Sequence, residues 1–261
     1  MSSANNFLHQ TNLLTLAFHK MQASFSYGAT NYTPIRFERL LKYLTENGFQ
    51  FVSINEIGGE LKPKSVLITF DDAYAHLREH LPRFIEQYKI KPLIFVPTAF
   101  IGQNNSWDYS HRFQNCPHMD ETTIKELSLL GVDFGSHSES HPDLTTLTDL
   151  QLQLEMQKSK DMLENLLGKK VNSLCYPYGR FDKRVMESAE MSGYEFAFTM
   201  RFPHASDTNL SIGRFPVYGL DLLMNIKQRI NHGMLYQCER LKCLFFNKLS
   251  YGTTLLNQFK K

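Results

Sequence analysis

SVLITFDD, residues 65–72, is the stretch that decides the fold. Its first six residues, Ser65–Phe70, are apolar and rich in β-formers, and so read as a strand. A helix-like segment, Leu77–Tyr88, follows, and then KPLIFV, Lys91–Val96, which reads as a buried strand. Working upstream, Leu13–Phe18 (LLTLAF) reads as a first strand. Thr33 is placed to cap a helix that has Pro34 at its first position, runs to about Asn47 and stops at Gly48. A short strand is expected near Phe51–Ser53. Working downstream, a polar loop from Pro97 to His118 precedes a helix over Asp120–Leu130 and a brief strand at Val132–Phe134. Thr148 and Gln151 have the T-x-x-Q spacing of a capping box, ahead of a long helix ending at Gly168. Leu152, Met156, Leu163, Leu166 and Leu167 give that helix one apolar face. Ser173–Tyr176, Glu195–Thr199 and Gly213–Val217 complete the strands. Repeated β-α units with helix-sized spacers predict an α/β fold on a parallel sheet, open or closed into a barrel. In such folds the chemistry collects on the loops that follow the carboxyl ends of strands.

The composition narrows the class. The chain has 261 residues, 42% of them hydrophobic and 21% charged, with a formal net charge of +2. That is enough chain to bury a sizeable core, and it lacks the basic stripe of a nucleic-acid binder. The longest apolar runs are strand-sized and none is long enough to span a membrane. The N-terminal MSSANNFLHQ lacks the basic start and apolar run of a secretory signal, so a cytoplasmic location is expected. The four cysteines, Cys116, Cys175, Cys238 and Cys243, form no close pair and are expected to be reduced thiols.

Three short motifs, each just after an expected strand, carry the candidate chemistry. Asp71 and Asp72 close the 65–70 strand. Adjacent carboxylates resist joint ionisation unless a cation compensates, so one could bind a metal and the other act as a base. The pair also fits a solvated turn in which Asp72 caps the next helix. In Gly135-Ser-His137-Ser-Glu-Ser-His141-Pro142, the glycine and proline make the histidine pair a loop feature rather than a helical one. Two imidazoles and one carboxylate are a standard shell for a catalytic zinc. Cys175-Tyr176-Pro177-Tyr178-Gly179-Arg180 reads as a rigid turn that can aim a backbone N–H at a ligand, as an oxyanion hole requires. Trp107 and Asp108, in the long polar loop, have the chemistry to stack on a sugar face and accept a hydroxyl hydrogen bond.

Taken in order, TFDD at 69–72, the H-S-x-x-H-P pattern at 137–142 and YPYG at 176–179 resemble the polysaccharide deacetylase superfamily (NodB homology, carbohydrate esterase family 4). Phe18-His19 looks like that family's early Tyr-His, and Ile212-Gly-Arg214-Phe-Pro-Val like its late arginine-bearing strand. The resemblance covers about residues 13–218 and implies a distorted (β/α) barrel with about seven strands, fewer than eight complete repeats. On this reading residues 1–12 are a tail, 13–231 the barrel, and 232–261 an extension packing on the barrel or a partner. The mixed apolar and basic run from Arg240 also suits peripheral contact with a membrane surface on its inner side.

The resemblance further implies Asp72, His137 and His141 as ligands of one divalent metal, zinc by default, with cobalt, nickel or manganese as alternatives. It implies Asp71 as the base, the backbone N–H of Tyr178 as the oxyanion donor, and a carbohydrate substrate that Tyr176, Pro177, Trp107 and Asp108 help to bind. Two departures stand out. The family's base-orienting arginine falls where this chain has Cys175, which makes Arg214 the expected substitute. The family's late Leu-x-His acid is missing, which leaves His19 as the candidate proton donor. The implied reaction is removal of an N-acetyl group from an amino sugar in a glycan or glycan precursor. Deformylation or O-deacetylation of a lipid- or nucleotide-linked sugar is the alternative within enzymology, and a non-catalytic carbohydrate-binding barrel is the alternative outside it.

Overall fold

The computed structural model describes residues 13–23, 29–106 and 116–246. Trp107 and Asp108 lie outside these residues, as does the chain beyond 246. The strands are β1 (Leu13–Phe18), β2 (Gln50–Phe51), β3 (Ser65–Phe70), β4 (Leu93–Val96), β5 (Asp133–Ser136), β6 (Ser173–Cys175), β7 (Phe196–Phe198) and β8 (Phe215–Pro216). The helices are α1 (Pro34–Glu46), α2 (Leu81–Tyr88), α3 (Glu121–Leu129), α4 (Asp149–Leu167), α5 (Lys183–Met191) and α6 (Leu223–Ile230).

All strand pairings are parallel, in the order β7-β6-β5-β4-β3-β1-β8, with β2 beside the start of β3. The seven-strand path closes on itself. Residues 209–214 bond back to β7, with Ile212 N–H donating to Ala197 O at 2.8 Å and Thr199 N–H to Ile212 O at 2.9 Å. The same segment then becomes β8 and pairs with β1, Leu16 opposite Phe215. This is the distorted (β/α) barrel with about seven strands that the motifs imply.

Strand periodicity separates two layers. Val66, Ile68 and Phe70 of β3, Ile94 and Val96 of β4, and Leu174 of β6 join the large core under the helices. Their alternates Leu67, Leu93, Phe95, Cys175 and Phe198 fill the barrel interior. Because successive side chains take opposite faces, two residues beyond an inward position is inward again. Leu67 therefore predicts Thr69 and then Asp71 as inward at the barrel mouth. This register is what delivers polar residues to one place.

The helices follow their sequence signals. Phe37, Leu40, Leu41 and Leu44 bury one face of α1, and Phe18 packs edge-on against Phe37 with ring centroids 5.1 Å apart. The Thr148–Gln151 capping box forms, and Gly168 ends α4 at φ 65. Leu152, Met156 and Leu163 are buried, while Leu166 and Leu167 pack partly buried against the same core. The expected helix at 77–88 is split into a 3₁₀ turn over Ala75–Glu79 and α2 from Leu81. Pro82 supplies the reason: it has no N–H to bond back into a preceding turn, and its ring crowds that turn, so the helix restarts beside it. The helix α5, unassigned from sequence, is capped by the Asp182 carboxylate accepting from Val185 N–H at 2.8 Å.

Beyond the barrel, residues 236–246 are helical and dock through charge. The fully buried Arg229 pairs with Asp221 at 2.8 Å and Glu239 at 2.6 Å, and Lys242 reaches both carboxylates at 2.7 Å. Tyr236 packs on Phe202, and Cys243 is buried. No helix of the described residues is long and apolar enough to cross a membrane. Cys116, Cys175 and Cys243 are buried free thiols, and Cys238 is an exposed one.

Candidate active site

Asp71, Asp72, His137, His141, Cys175, Arg214 and His19 converge at the carboxyl ends of β1, β3, β5 and β6. Asp71 N–H donates to Phe18 O at 2.8 Å, which continues the β1–β3 ladder and aims the Asp71 side chain inward. There Arg214 meets it as a fork, Nη1 at 2.7 Å from Oδ1 and Nη2 at 2.8 Å from Oδ2. The same guanidinium donates to Thr69 Oγ1 at 2.9 Å, to Thr199 O at 3.0 Å and to Cys175 Sγ at 3.0 Å. The geometry expected of Arg214 as the base's partner is thus present, and Cys175 is small enough to leave room for it. Burial alone would raise the Asp71 pKa. The Arg214 charge and paired hydrogen bonds outweigh this, with smaller help from His19 and His137, and hold the carboxyl well below the usual range. Asp71 is therefore an ionised acceptor at any ordinary pH.

After Asp71 the chain turns sharply. Asp72 and Ala73 both take left-handed backbone, at φ 70 and φ 46. Aspartate tolerates this region, but for Ala73 it costs roughly 1–2 kcal/mol, so the surroundings must enforce the turn. The turn swings the Asp72 carboxylate away from Asp71 and toward the histidine loop.

That loop is built by its serines. Ser136 Oγ accepts from Ser138 N–H, and Ser138 Oγ accepts from His141 N–H, both at 3.1 Å. Ser140 N–H and hydroxyl both donate to the Glu155 carboxylate on α4. Arg180, at the end of the third motif, is salt-bridged to Asp143, tying the two loops together. Gly135 is required by space: a Cβ there would lie 2.5 Å from Ser173 Oγ and 2.7 Å from the Phe95 ring.

His137 Nδ1 is 2.7 Å from Cys175 O. A carbonyl only accepts, so the hydrogen sits on Nδ1 and Nε2 presents a lone pair. Burial lowers the His137 pKa to about 4, against the opposing pull of Asp71 and the Cys175 bond. Burial, followed by His137, pushes His141 well below its usual value. Both rings are neutral at neutral pH, the form that ligates metal.

Each Nε2 lies 3.6 Å from Asp72 Oδ1. This is too long for a hydrogen bond, yet close to the separation of about 3.4 Å between neighbouring ligands on a tetrahedral ion with bonds near 2.1 Å. All three atoms lie within 4.8 Å of one another and all three residues are buried. A carboxylate oxygen facing an imidazole lone pair away from water calls for a cation between them. The donor set therefore fits one divalent metal.

The other expected site residues divide. Tyr178 sits in left-handed backbone at φ 58, its ring edge-on to His141 at 4.7 Å. His19 is at the mouth, its side chain 18% exposed and its Nε2 3.8 Å from Asp71 Oδ2. Tyr176 and Pro177 correct the expectation of substrate contact by their side chains, because both are buried. The Tyr176 hydroxyl donates to Leu210 O at 2.9 Å and its ring stacks on Phe181, so it anchors the turn from beneath. Sequence reasoning missed His118, whose Nδ1 lies 2.5 Å from Asp72 O. Nothing in its setting, between a polar loop and a helix cap, distinguishes it in the sequence.

Comparison with known proteins agrees with this geometry. The polysaccharide deacetylase family matches residues 58–197, which include the TFDD, histidine and YPYG motifs. The chain belongs to the polysaccharide deacetylase family. YxkH of Bacillus subtilis (strain 168), named for the same family, is 31% identical over 169 residues, 62% of this chain and 56% of that protein. The peptidoglycan-N-acetylmuramic acid deacetylase PdaA of the same organism is 28% identical over 144 residues, 54% of this chain and 48% of that protein. The matches thus span about half the length of these relatives. The Streptococcus pyogenes deacetylase PplD, solved in complex with acetate, shares the fold at TM-score 0.72 and 21% identity, over 83% of this chain and 96% of that one.

Proposed function

We propose that this protein is a metal-dependent hydrolase that removes an N-acetyl group from an amino sugar of a glycan or glycan precursor. The observation that carries the reading is the split of two adjacent carboxylates between two jobs. Asp71 is clamped by Arg214 on one side of the mouth, and Asp72 faces His137 and His141 on the other. A pure binding barrel has no use for an ionised, immobilised base beside a metal-ligand trio.

A divalent cation held by Asp72, His137 and His141 would polarise the acyl carbonyl and acidify a water beside it. Asp71 accepts the proton of the attacking water. Its low proton affinity makes it a weak base, and Arg214 holds both carboxylate oxygens in place, so its contribution is position and permanent readiness rather than basicity. The Tyr178 N–H, on its left-handed turn, stabilises the negative charge that develops on the acyl oxygen. A donor of this kind is worth on the order of 10²–10³ in turnover. His19, partly exposed at the mouth and 3.8 Å from Asp71, delivers a proton to the departing amine.

Acetate release from N-acetylated amino sugars, nucleotide sugars and short oligosaccharides, measured with and without a chelator, tests the proposal. Release abolished by chelator and restored by zinc, cobalt, nickel or manganese is expected. Failure to release acetate from every member of the panel, with metal supplied, would count against N-deacetylation.

A further inference from the structure

Residues 116–119 run between the exit of β3 and residues 102–105. Ala75 N–H donates to Pro117 O at 2.9 Å and Met119 N–H to Ala73 O at 2.8 Å on one side. His118 N–H donates to Gln103 O and Gly102 N–H to Met119 O on the other, at 2.8 and 2.9 Å. This narrow ribbon is docked on the two left-handed residues, Asp72 and Ala73. From its centre the buried His118 ring reaches the Asp72 carbonyl at 2.5 Å. The ring is fixed by lying nearly parallel to Tyr74, centroids 5.1 Å apart and planes 18° apart. Tyr74 is fixed in turn by Asn105 Nδ2, which donates to its hydroxyl at 2.6 Å.

The carboxylate of Asp72 must stand 3.6 Å from two histidine nitrogens at once. Its direction is set by the rotation of its own backbone, in a left-handed turn that aspartate tolerates but that its neighbour Ala73 adopts only under restraint. We infer that His118 is a positioning residue for the metal site: its Nδ1–H, donated to the Asp72 carbonyl, holds that backbone in the left-handed turn that aims the carboxylate at His137 and His141. The inference rests on the metal-site reading of the three ligands. It adds a backbone-directed support to them, one that lies outside all three recognised motifs.

The test is zinc affinity, measured by competition with a chromophoric chelator on the full chain, alongside thermal unfolding of the metal-free protein. His118→Phe keeps a ring on Tyr74 and removes the donor. His118→Asn places an amide N–H at the same distance along the side chain and removes the ring. Loss of an outer support typically weakens a metal site about 10–100-fold, and that loss is expected for His118→Phe, with His118→Asn staying within about threefold of the unaltered chain. Should His118→Phe fail to fold, His118→Ala against His118→Asn gives the same contrast. A donor-lacking variant that binds zinc as tightly as the unaltered chain overturns the inference. So does His118→Asn binding as weakly as the donor-lacking variant, since the stack and not the hydrogen bond would then be what matters. Absence of zinc binding by the unaltered chain would overturn the metal-site reading itself, and this inference with it.

Discussion

Replacing Arg214 by alanine should show how one buried guanidinium serves stability and chemistry together. Its side chain is fully buried and donates to Asp71 twice, to Thr69, to the Thr199 carbonyl and to the Cys175 sulfur. Removal leaves Asp71 buried with its charge uncompensated, and breaking such a pair from one side costs about 3–5 kcal/mol. For a chain of this size that corresponds to a fall of roughly 6–20 °C in Tm. The sign of the pH effect follows from Asp71. Its pKa is depressed in the folded protein, so the pair contributes stability above the unfolded carboxylate value of about 3.9 and loses it as pH falls. Without Arg214, burial is opposed only by the smaller pulls of His19 and His137, and the Asp71 pKa rises. The acid limb of the activity profile then moves to higher pH, and turnover near neutrality falls on the order of 10² or more as the base protonates and loses its fixed geometry. Urea unfolding at several pH values and a kcat/KM profile from pH 5 to 9 read both effects. Destabilisation below about 1 kcal/mol would put the pair in the class of exposed salt bridges. An unmoved acid limb would show that Arg214 does not tune Asp71. The double variant Arg214→Ala with Asp71→Asn should be less unstable than the sum of the singles, because the orphaned charge is gone.

Three further outcomes are expected. Asp71→Asn should lower turnover by about 10²–10⁴ while retaining metal, whereas His137→Ala should lose metal and activity together; metal analysis beside kinetics separates them. Burial lowers the His137 pKa to about 4, so protons compete poorly with metal there: zinc affinity measured by equilibrium dialysis should change little between pH 7 and pH 6, an interval in which a ligand of ordinary histidine pKa, about 6.5, becomes protonated; a marked loss of affinity across it would contradict the burial argument. Gly135→Ala should destabilise the protein by about 1–3 kcal/mol in urea unfolding, because its Cβ meets Ser173 Oγ at 2.5 Å and Phe95 at 2.7 Å; an unaffected midpoint would mean that β5 and β6 separate freely.

Much of this protein is legible along the chain. Leu13–Phe18 and Ser65–Phe70 are strands with the bounds read from their apolar runs, and α4 begins at its Thr148 capping box and stops at Gly168. The rule that chemistry follows strand ends placed Asp71, Asp72, His137 and His141 in one neighbourhood, and alternation explains why Asp71 points inward behind Leu67 and Thr69. Local signals misled where two competed. The apolar pattern of 77–88 favoured one helix, and Pro82 broke it. The resemblance implied that Tyr176 helps to bind substrate, yet its ring is spent on Phe181 and its hydroxyl on Leu210.

The sequence by itself determined the parallel α/β plan and the three motifs, because these rest on periodicity and turn residues that neighbours along the chain supply, and the resemblance those motifs carry pointed to Asp72, His137 and His141 as candidate metal ligands. Arg214 was already named by the resemblance, but only the tertiary structure shows its fork on Asp71, since the two are 143 positions apart and meet only when residues 209–217 close the barrel between β7 and β1. It likewise decided the tautomer of His137, through a carbonyl on β6, and the place of His118 behind Asp72. These last two are hydrogen bonds to the backbone of a distant segment, and a backbone carbonyl is the same in every residue, so no residue type in the sequence announces them.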